Sequence, residues 1–467
     1  MIDRLDGAAR VLHSPVPQDV ALACDSPWEG NSSKQVTVFK DDDLYRMYYR
    51  GSQVDYTPGE MTNRHEFTCY AESADGIRWE KPSLGLVEFE GSKDNNIVLD
   101  HSASHNFMPF KDANPDCEPD ARYKALASGT SKDGNLKGLH ALKSPDGVRW
   151  SMMTDDVVIT DGAFDSQNLA FWDTVRGEYR EYHRDFRPGR DVRGNANGRD
   201  IKTATTKDFL EWPDPVWLNY SPGRVSELYT NQIIPYYRAP HIFLGFPTRY
   251  VDRGWNESAK RLPQVEYRRL RASSNEREGT AMTDGMFMSS RDGLSFNVWP
   301  ESFIRPGLRD TGGWFYGDNY QSWGLIETAA HLEGAPHELS VYVTEAHEQM
   351  ELTERLRRHT LRVDGFVSVN ARLSGGELLT HPLVFQGGRL VLNFSSSIAG
   401  DIRVELQDSN GHALDGFGMD DCDEIYGDDL ERTVSWTGAT DVSSLAGQPV
   451  RLRFAIRDAD LYSLQFK

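Results

Sequence analysis

The chain has 467 residues and a formal net charge of -20 at neutral pH. Such a polyanion repels nucleic acid and anionic membrane, so neither is an expected partner, and no apolar run approaches the roughly eighteen residues of a membrane helix. No phosphate-cradling glycine loop and no His-Glu-x-x-His pair occurs, which removes nucleotide and zincin chemistry.

The N-terminus, Met-Ile-Asp-Arg-Leu-Asp-Gly, lacks the apolar core of a secretory signal, so the chain as given reads as cytoplasmic. It reads as secreted or periplasmic if a signal preceded this numbering. The cysteines at 24, 69, 117 and 422 have no metal-like spacing and read as reduced thiols, a Cys24–Cys69 bridge being the alternative.

Short aromatic and β-branched runs then come in groups of three, each group closed by an acidic turn. The first group is Gln35 to Phe39, Leu44 to Tyr49 and Phe67 to Ala71, followed by Asp75-Gly76. The second is Phe107 to Phe110, Tyr123 to Ala127 and Leu139 to Leu142, followed by Asp146-Gly147. The third is Asn168 to Trp172, Glu178 to Tyr182 and Ile201 to Thr205, followed by Asp208-Phe209. The fourth is Gln232 to Pro235, Ile242 to Phe246 and Gly285 to Ser289, followed by Asp292-Gly293. The fifth is Ser322 to Ile326, Glu338 to Val343 and His359 to Val363, followed by Asp364-Gly365.

Four of the turns lie in a longer pattern, Ser/Thr-x-Asp-Gly/Phe-x-x-aromatic, and successive turns stand 62 to 84 residues apart. Asp-Gly is a hairpin signal because both residues accept positive φ. Three strands and a hairpin, five times, predict a five-bladed β-propeller over residues 1–369. Arg184 to Gly198 and Val251 to Thr280 are long insertions, and Ala346 to Leu356 is the one stretch that suits a short helix. From 370 to 467, compact alternating strands predict an antiparallel β-sandwich, so the fold class is all-β.

In a propeller the residues leading into each innermost strand converge on one mouth. Those lead-ins are Trp28-Glu29-Gly-Asn31, Ser104-His105-Asn106, Asp165-Ser-Gln167-Asn168, Glu227 to Asn231, and Asp318-Asn319-Tyr320. Each holds an Asn with a carboxylate or histidine. Asn and Asp also favour turns, which is the bland explanation. Converging carboxylates suit acetal cleavage, where one protonated carboxyl assists the leaving oxygen and another attacks or activates water.

The blade count, the Ser-x-Asp-Gly-x-x-Trp hairpins and the acidic lead-ins resemble the five-bladed glycoside hydrolases of family 43 (arabinanase/xylosidase) and family 32 (invertase/levanase). The resemblance implies Asp165 as the residue that orients the acid or stabilises the transition state, and Glu227 as the general acid. The blade-one Asp of those families is replaced by Glu29, with Asp25 as second choice, and the sandwich points toward the invertase side. The invertase motifs Asn-Asp-Pro-Asn, Arg-Asp-Pro and Glu-Cys are absent.

The function expected is hydrolysis of a furanoside or related terminal sugar, with an oligo- or polysaccharide as partner. A non-catalytic carbohydrate-binding propeller and a glycoside phosphorylase are the alternatives. Substrate contacts are expected from Trp28, Asn31, His105, Asn106, Gln167, Asn168, Asn231, Asp318, Asn319 and Tyr320. His105 serves either as an acid or as a bonding group, and Asp318 either holds a sugar hydroxyl or makes an Asx turn. Arg184, Arg187, Arg190, Arg193 and Arg199, with Arg268, Arg269 and Arg271, make the insertions basic. They are solvated, salt-bridged loops or forks for an anionic sugar. No cofactor is required. The acidic turn Asp420 to Glu424, with Asp428 and Asp429, has enough oxygens for a structural calcium ion or is a solvated turn.

Overall fold

The computed structural model describes residues 1–189, 197–222 and 226–467. The predicted runs pair into antiparallel sheets. The first contains Thr37–Asp41, Leu44–Gly51, Phe67–Ser73 and Ile97–Leu99, and the second Met108–Lys111, Tyr123–Thr130, Lys137–Ser144 and Ser151–Met152. The third contains Leu169–Asp173, Glu178–Pro188, Asn197–Thr206 and Val216–Trp217. The fourth is larger: Ile234–Tyr236, Ala239–Gly245, Ala281–Ser290 and Ser295–Ile304 are joined by Thr248–Asp252, Glu227–Leu228 and a parallel edge strand, Asn219–Ser221. The fifth takes Ile326–Thr328, Glu338–Glu345 and Arg355–Arg362 from late in the chain, and its outer strand, Val16–Ala23, from the beginning.

The repeated acidic turn has one geometry in the first, second and fourth sheets. Asp75 Oδ1 accepts from the amides of Ile77 and Arg78, both at 2.8 Å, while Ser73 Oγ accepts from the Gly76 amide at 2.9 Å. Ser144 with Asp146 and Ser290 with Asp292 repeat it. Burial works to raise the Asp292 pKa, but the amides of Ser295 and Leu294 draw it down to about 2. Only the glycine has positive φ (70°, 76° and 74° at Gly76, Gly147 and Gly293), so these are not turns with both central residues left-handed.

The same turns join neighbouring sheets. Tyr48 donates its hydroxyl to the Gly147 carbonyl at 2.8 Å, and Tyr182 to that of Gly293 at 2.7 Å. Tyr342 in the fifth sheet donates to Gly76 in the first. At the second-to-third junction Phe209 stands in place of the glycine and packs on Tyr179 and Phe110 instead. Trp323 Nε1 bonds the Ile233 carbonyl at 3.0 Å across the fourth-to-fifth junction. Every adjacent pair is thus tied, and the sheets form a closed ring.

The chain divides into two compact units: Pro15–Thr328 with Leu339–Thr360, and Met1–Ser14 with Ala329–Glu338 and Leu361–Lys467. Set against the expected division at 370, the second unit begins at 361 and takes in the N-terminus. Its sheet runs Ile2–Asp6, Gly376–Thr380, Arg451–Phe466, Val367–Ala371, Ala8–Leu12, with Leu390–Gln407 and Asp428–Thr433 attached. A register shift between Ser396 and Asp401 bends the longest strand. Its two halves then share one core through Leu392, Phe394, Ile402, Val404 and Trp436. The fifth turn, Asp364-Gly365, lies in this unit and is the odd one, with positive φ at the Asp (60°).

Two expectations change. Ala346 to Leu356 is not helical, because Ala346 and Glu348 hold positive φ. Helices appear instead inside the second insertion, at Val265–Ser274 and Glu276–Thr280. The inward residues of the first are Arg268 and Arg271, so no apolar stripe marks it. No helix among the described residues is long and apolar enough to cross a membrane.

Replacing Tyr48, Tyr182 or Tyr342 by Phe should cost about 1 kcal/mol each, since a buried carbonyl loses its donor. The losses should add, as the sites are far apart. Urea unfolding midpoints of the single and triple variants measure this.

Candidate active site

In a four-stranded antiparallel blade the start of the first strand and the connection between the second and third lie at one end. The acidic hairpins lie at the other. A ring of such blades therefore has a rim built from two sets of residues, the lead-ins and the second-to-third connections.

The lead-in amides turn out to hold the ring. Asn106 donates to the Phe164 carbonyl at 2.8 Å, Asn168 to the carbonyls of Phe164 and Ser166, and Asn231 to that of Gln167 at 3.2 Å. Gln167 Oε1 accepts from Gln232. Asn31 clasps both backbone groups of Val54, and Asn319 bonds the carbonyls of Thr283 and Gly313. Their side chains are spent on backbone, as turn chemistry allows. Trp28 donates to Asn96 at 2.6 Å and meets the edge of Phe89.

Glu29 is turned into the first blade. It is fully buried, with Oε1 accepting from Tyr49 at 2.5 Å and Oε2 from Lys81 and the Ser26 amide, both at 2.8 Å. Asp25 shares the same lysine. The bonding of its carboxylate is thus taken up inside the first blade. Asp318 is likewise buried, accepting from the amides of Phe315 (2.7 Å) and His347 (2.8 Å). Burial raises its pKa to about 7 against the pull of those amides. Around it Glu348 accepts from Ser32, Tyr56 and Arg271, and His347 bonds Glu354 at 2.7 Å.

Asp165 and Glu227 do come together, through arginines. Asp165 is largely exposed and pairs with Arg184. Glu227 is buried, and Arg199 donates to its Oε2 from the guanidinium at 2.8 Å and from the backbone at 3.2 Å. Arg184 and Arg199 flank one tyrosine: their guanidinium carbons lie 5.1 and 5.3 Å from the Tyr229 ring centre. Tyr229 in turn shares a 2.8 Å hydroxyl bond with Tyr316, and Tyr250 and Tyr320 complete the cluster. Lys34 lies 5.1 Å from the Tyr316 ring centre and 6.0 Å from that of Tyr320. Burial and then Tyr229 push Tyr316 and Tyr320 well above the usual phenol range. Burial would raise Tyr229 too, but Arg184, Lys34, the Tyr316 bond and Arg199 lower it to about 8.

A further carboxylate, Glu66, was not expected. It ends the second-to-third connection of the first blade and meets His105 Nδ1 at 2.6 Å and Arg50 at 3.4 Å. Burial acts to raise its pKa, and the His105 bond, Arg50 and Lys34 bring it below the ordinary glutamate range. Nδ1 engaged with a carboxylate leaves the Nε2 of this half-exposed histidine as the free ring nitrogen. The signal for Arg184 and Arg199 was present in the strand pattern. Phe186 pairs with Arg199 and Arg184 with Ile201, on the two strands flanking the first insertion.

Of the other basic insertion residues, Arg187 pairs with Asp200, Arg269 with Glu266, and Arg268 and Arg271 are buried. Arg190 and Arg193 lie outside the described residues. In the C-terminal unit Asp421 accepts from the Gly418 amide, and Asp423 from Ser435 and the Gly438 amide. Among the described residues no group of three His, Cys, Asp or Glu is placed to hold a metal, and the four cysteines are free.

Glu29→Gln should cost about 3 kcal/mol in urea unfolding, the scale for breaking a buried ion pair. A catalytic carboxylate would instead lose turnover at unchanged stability. Ultraviolet titration should reveal one phenol ionising near pH 8, absent in Tyr229→Phe. Because the folded value lies below the unfolded one of about 10, ionised Tyr229 adds stability above pH about 10, and the gain is lost as pH falls through about 8.

No protein-family model matches the chain, and none of the curated proteins matches it. Among solved structures, an N-acetylgalactosamine deacetylase from F. plautii in complex with blood group B trisaccharide is similar at 12% identity and a TM-score of 0.46, over 76% of this chain and 96% of that one. An endo-arabinase from Bacteroides thetaiotaomicron is similar at 10% identity and a TM-score of 0.41, over 74% and 98%. A glycosyl hydrolase from Bacteroides ovatus is similar at 12% identity and a TM-score of 0.42, over 75% and 94%. Likeness at this level carries no chemistry across, which has to come from the side chains above.

Proposed function

We propose that the propeller unit is a glycoside hydrolase whose reaction centre lies at the tyrosine-walled rim. The observation that carries this reading is that Asp165 and Glu227, from adjacent blades, each pair with an arginine, and that both arginines lie against the Tyr229 ring. Acetal cleavage needs two carboxyl groups in different roles, held in fixed positions. Both Arg199 bonds fall on Glu227 Oε2, so Oε1 is the oxygen that protonates the leaving group. Asp165 is the exposed carboxylate that faces the sugar and balances charge as it develops. The role expected of Glu29 passes to the His105–Glu66 pair, whose free Nε2 takes a proton from water. A furanoside or related terminal sugar remains the proposed substrate, on the strength of the resemblance in the hairpins and acidic lead-ins.

A second reading has one observation in its favour. Both carboxylates are already held by arginines, as they would be in a module that binds a glycan without cleaving it.

The leaving group separates the two. With alkyl or sugar leaving groups, Glu227→Gln should lower kcat/KM by roughly a hundred- to ten-thousand-fold. A dinitrophenyl glycoside needs no proton and should be spared most of that loss. Equal loss on both substrates would remove Glu227 as the acid, and glycan affinity without any cleavage by the wild type would select the binding module.

A further inference from the structure

The tyrosine cluster holds a cation with no ion pair among the described residues. Lys34 is 92% buried by its 8% exposure, and among the described residues its Nζ meets only the faces of Tyr316 and Tyr320. The carboxylates within its electrostatic reach are spoken for: Glu66 by His105 and Arg50, Glu348 by Ser32, Tyr56 and Arg271. Arg184, buried beside it, leaves Nε without a partner, and burial holds its pKa below the ordinary arginine value. Tyr320 keeps a buried hydroxyl with no bond. An unpaired buried ammonium is costly. Cation–π contacts of about 1–2 kcal/mol offset only part of that cost.

We infer that Lys34, Arg184 and the Tyr229–Tyr316–Tyr320 wall bind an oxyanion of the phosphate or sulfate class. Lys34 and Arg184 bring a point charge and a guanidinium, the latter also paired with Asp165, to one tyrosine cluster, a donor set that suits an anion with several oxygens better than a neutral hydroxyl. The lowered Tyr229 pKa reports the same positive field. The inference deepens the glycosidase reading by naming what the substrate brings. Two sources supply this chemistry: a sulfate or phosphate ester on the sugar, or free inorganic phosphate. With free phosphate, a phosphate oxygen bonds the anomeric carbon as the glycosidic C–O bond breaks. Glu227 gives the departing oxygen its proton, and the products are a sugar phosphate and an alcohol.

Calorimetric titration of the full chain with inorganic phosphate, and separately with sulfate, tests the site without any need for turnover. Saturable binding is expected, weakened by about tenfold or more in Lys34→Met, which corresponds to about 1.4 kcal/mol. Exposed Lys132→Met should leave it unchanged. Lys34→Met should also lose the rise in unfolding temperature that phosphate confers on the wild type. Absence of saturable binding, or full binding in Lys34→Met, overturns the inference. Phosphate-dependent release of a sugar phosphate identifies free phosphate as the source. Competitive inhibition by phosphate, with preference for a sulfated aryl glycoside, identifies an ester on the sugar. Failure of every glycoside to turn over while phosphate still binds would remove the glycosidase reading and leave the anion site standing.

Discussion

The hydroxyl of Tyr342 reaches across the seam of the ring to the carbonyl of Gly76, joining the last sheet to the first. Equivalent bonds from Tyr48 and Tyr182 join two other pairs. Each depends on a hairpin whose glycine has positive φ and whose Cβ would collide: at Gly147 an added methyl would lie 2.9 Å from the Tyr48 oxygen. The acidic turns are therefore joints, with the Asp carboxylate spent on two backbone amides. They hold the blades in register, and only a ring held in register can bring Asp165, Glu227 and Glu66 to one rim from three blades.

That requirement explains the polar composition of the rim. Glycans are bound by polar groups, and a catalytic carboxylate needs a fixed direction. Yet most lead-in amides face the neighbouring backbone. Asn106, Asn168 and Asn231 bond carbonyls that the curvature of the ring leaves unpaired, which a buried backbone group requires. Under the proposed reading the chemistry falls to groups on longer side chains: Arg184, Arg199, His105 and Lys34.

Most of the fold was legible in the chain. Strand runs, turn residues and their spacing are local, and local rules suffice for Ser73 to Trp79 or Ser290 to Phe296. The fifth sheet was harder, since its outer strand, Val16–Ala23, lies over 330 residues from its partner Arg355–Arg362. The helix at Val265–Ser274 escaped because its buried face carries Arg268 and Arg271, which look like a solvent face in any periodicity. The site was half legible. Asp165 and Glu227 follow from the lead-in rule and Arg184 and Arg199 from the basic insertion, whereas Glu66 ends a second-to-third connection that opens on the same rim. Glu29 fits the lead-in rule and is still turned inward, because Lys81, 52 residues along the chain, supplies a half-buried cation that no local pattern announces.

The distribution of charge makes the last connection. A chain of net charge -20 has little general attraction for an anion, so any anionic ligand must be won locally, at short range and out of solvent screening. Burial in a tyrosine-walled space does this: the aromatic faces stabilise the cations without neutralising them, as a carboxylate would. Arg199 accepts the compromise of pairing with Glu227 while stacking 4.2 Å from the centre of Tyr250. Lys34 does not. Lys34 keeps no ion pair among the described residues, and the anion inferred for this cluster would supply one at short range.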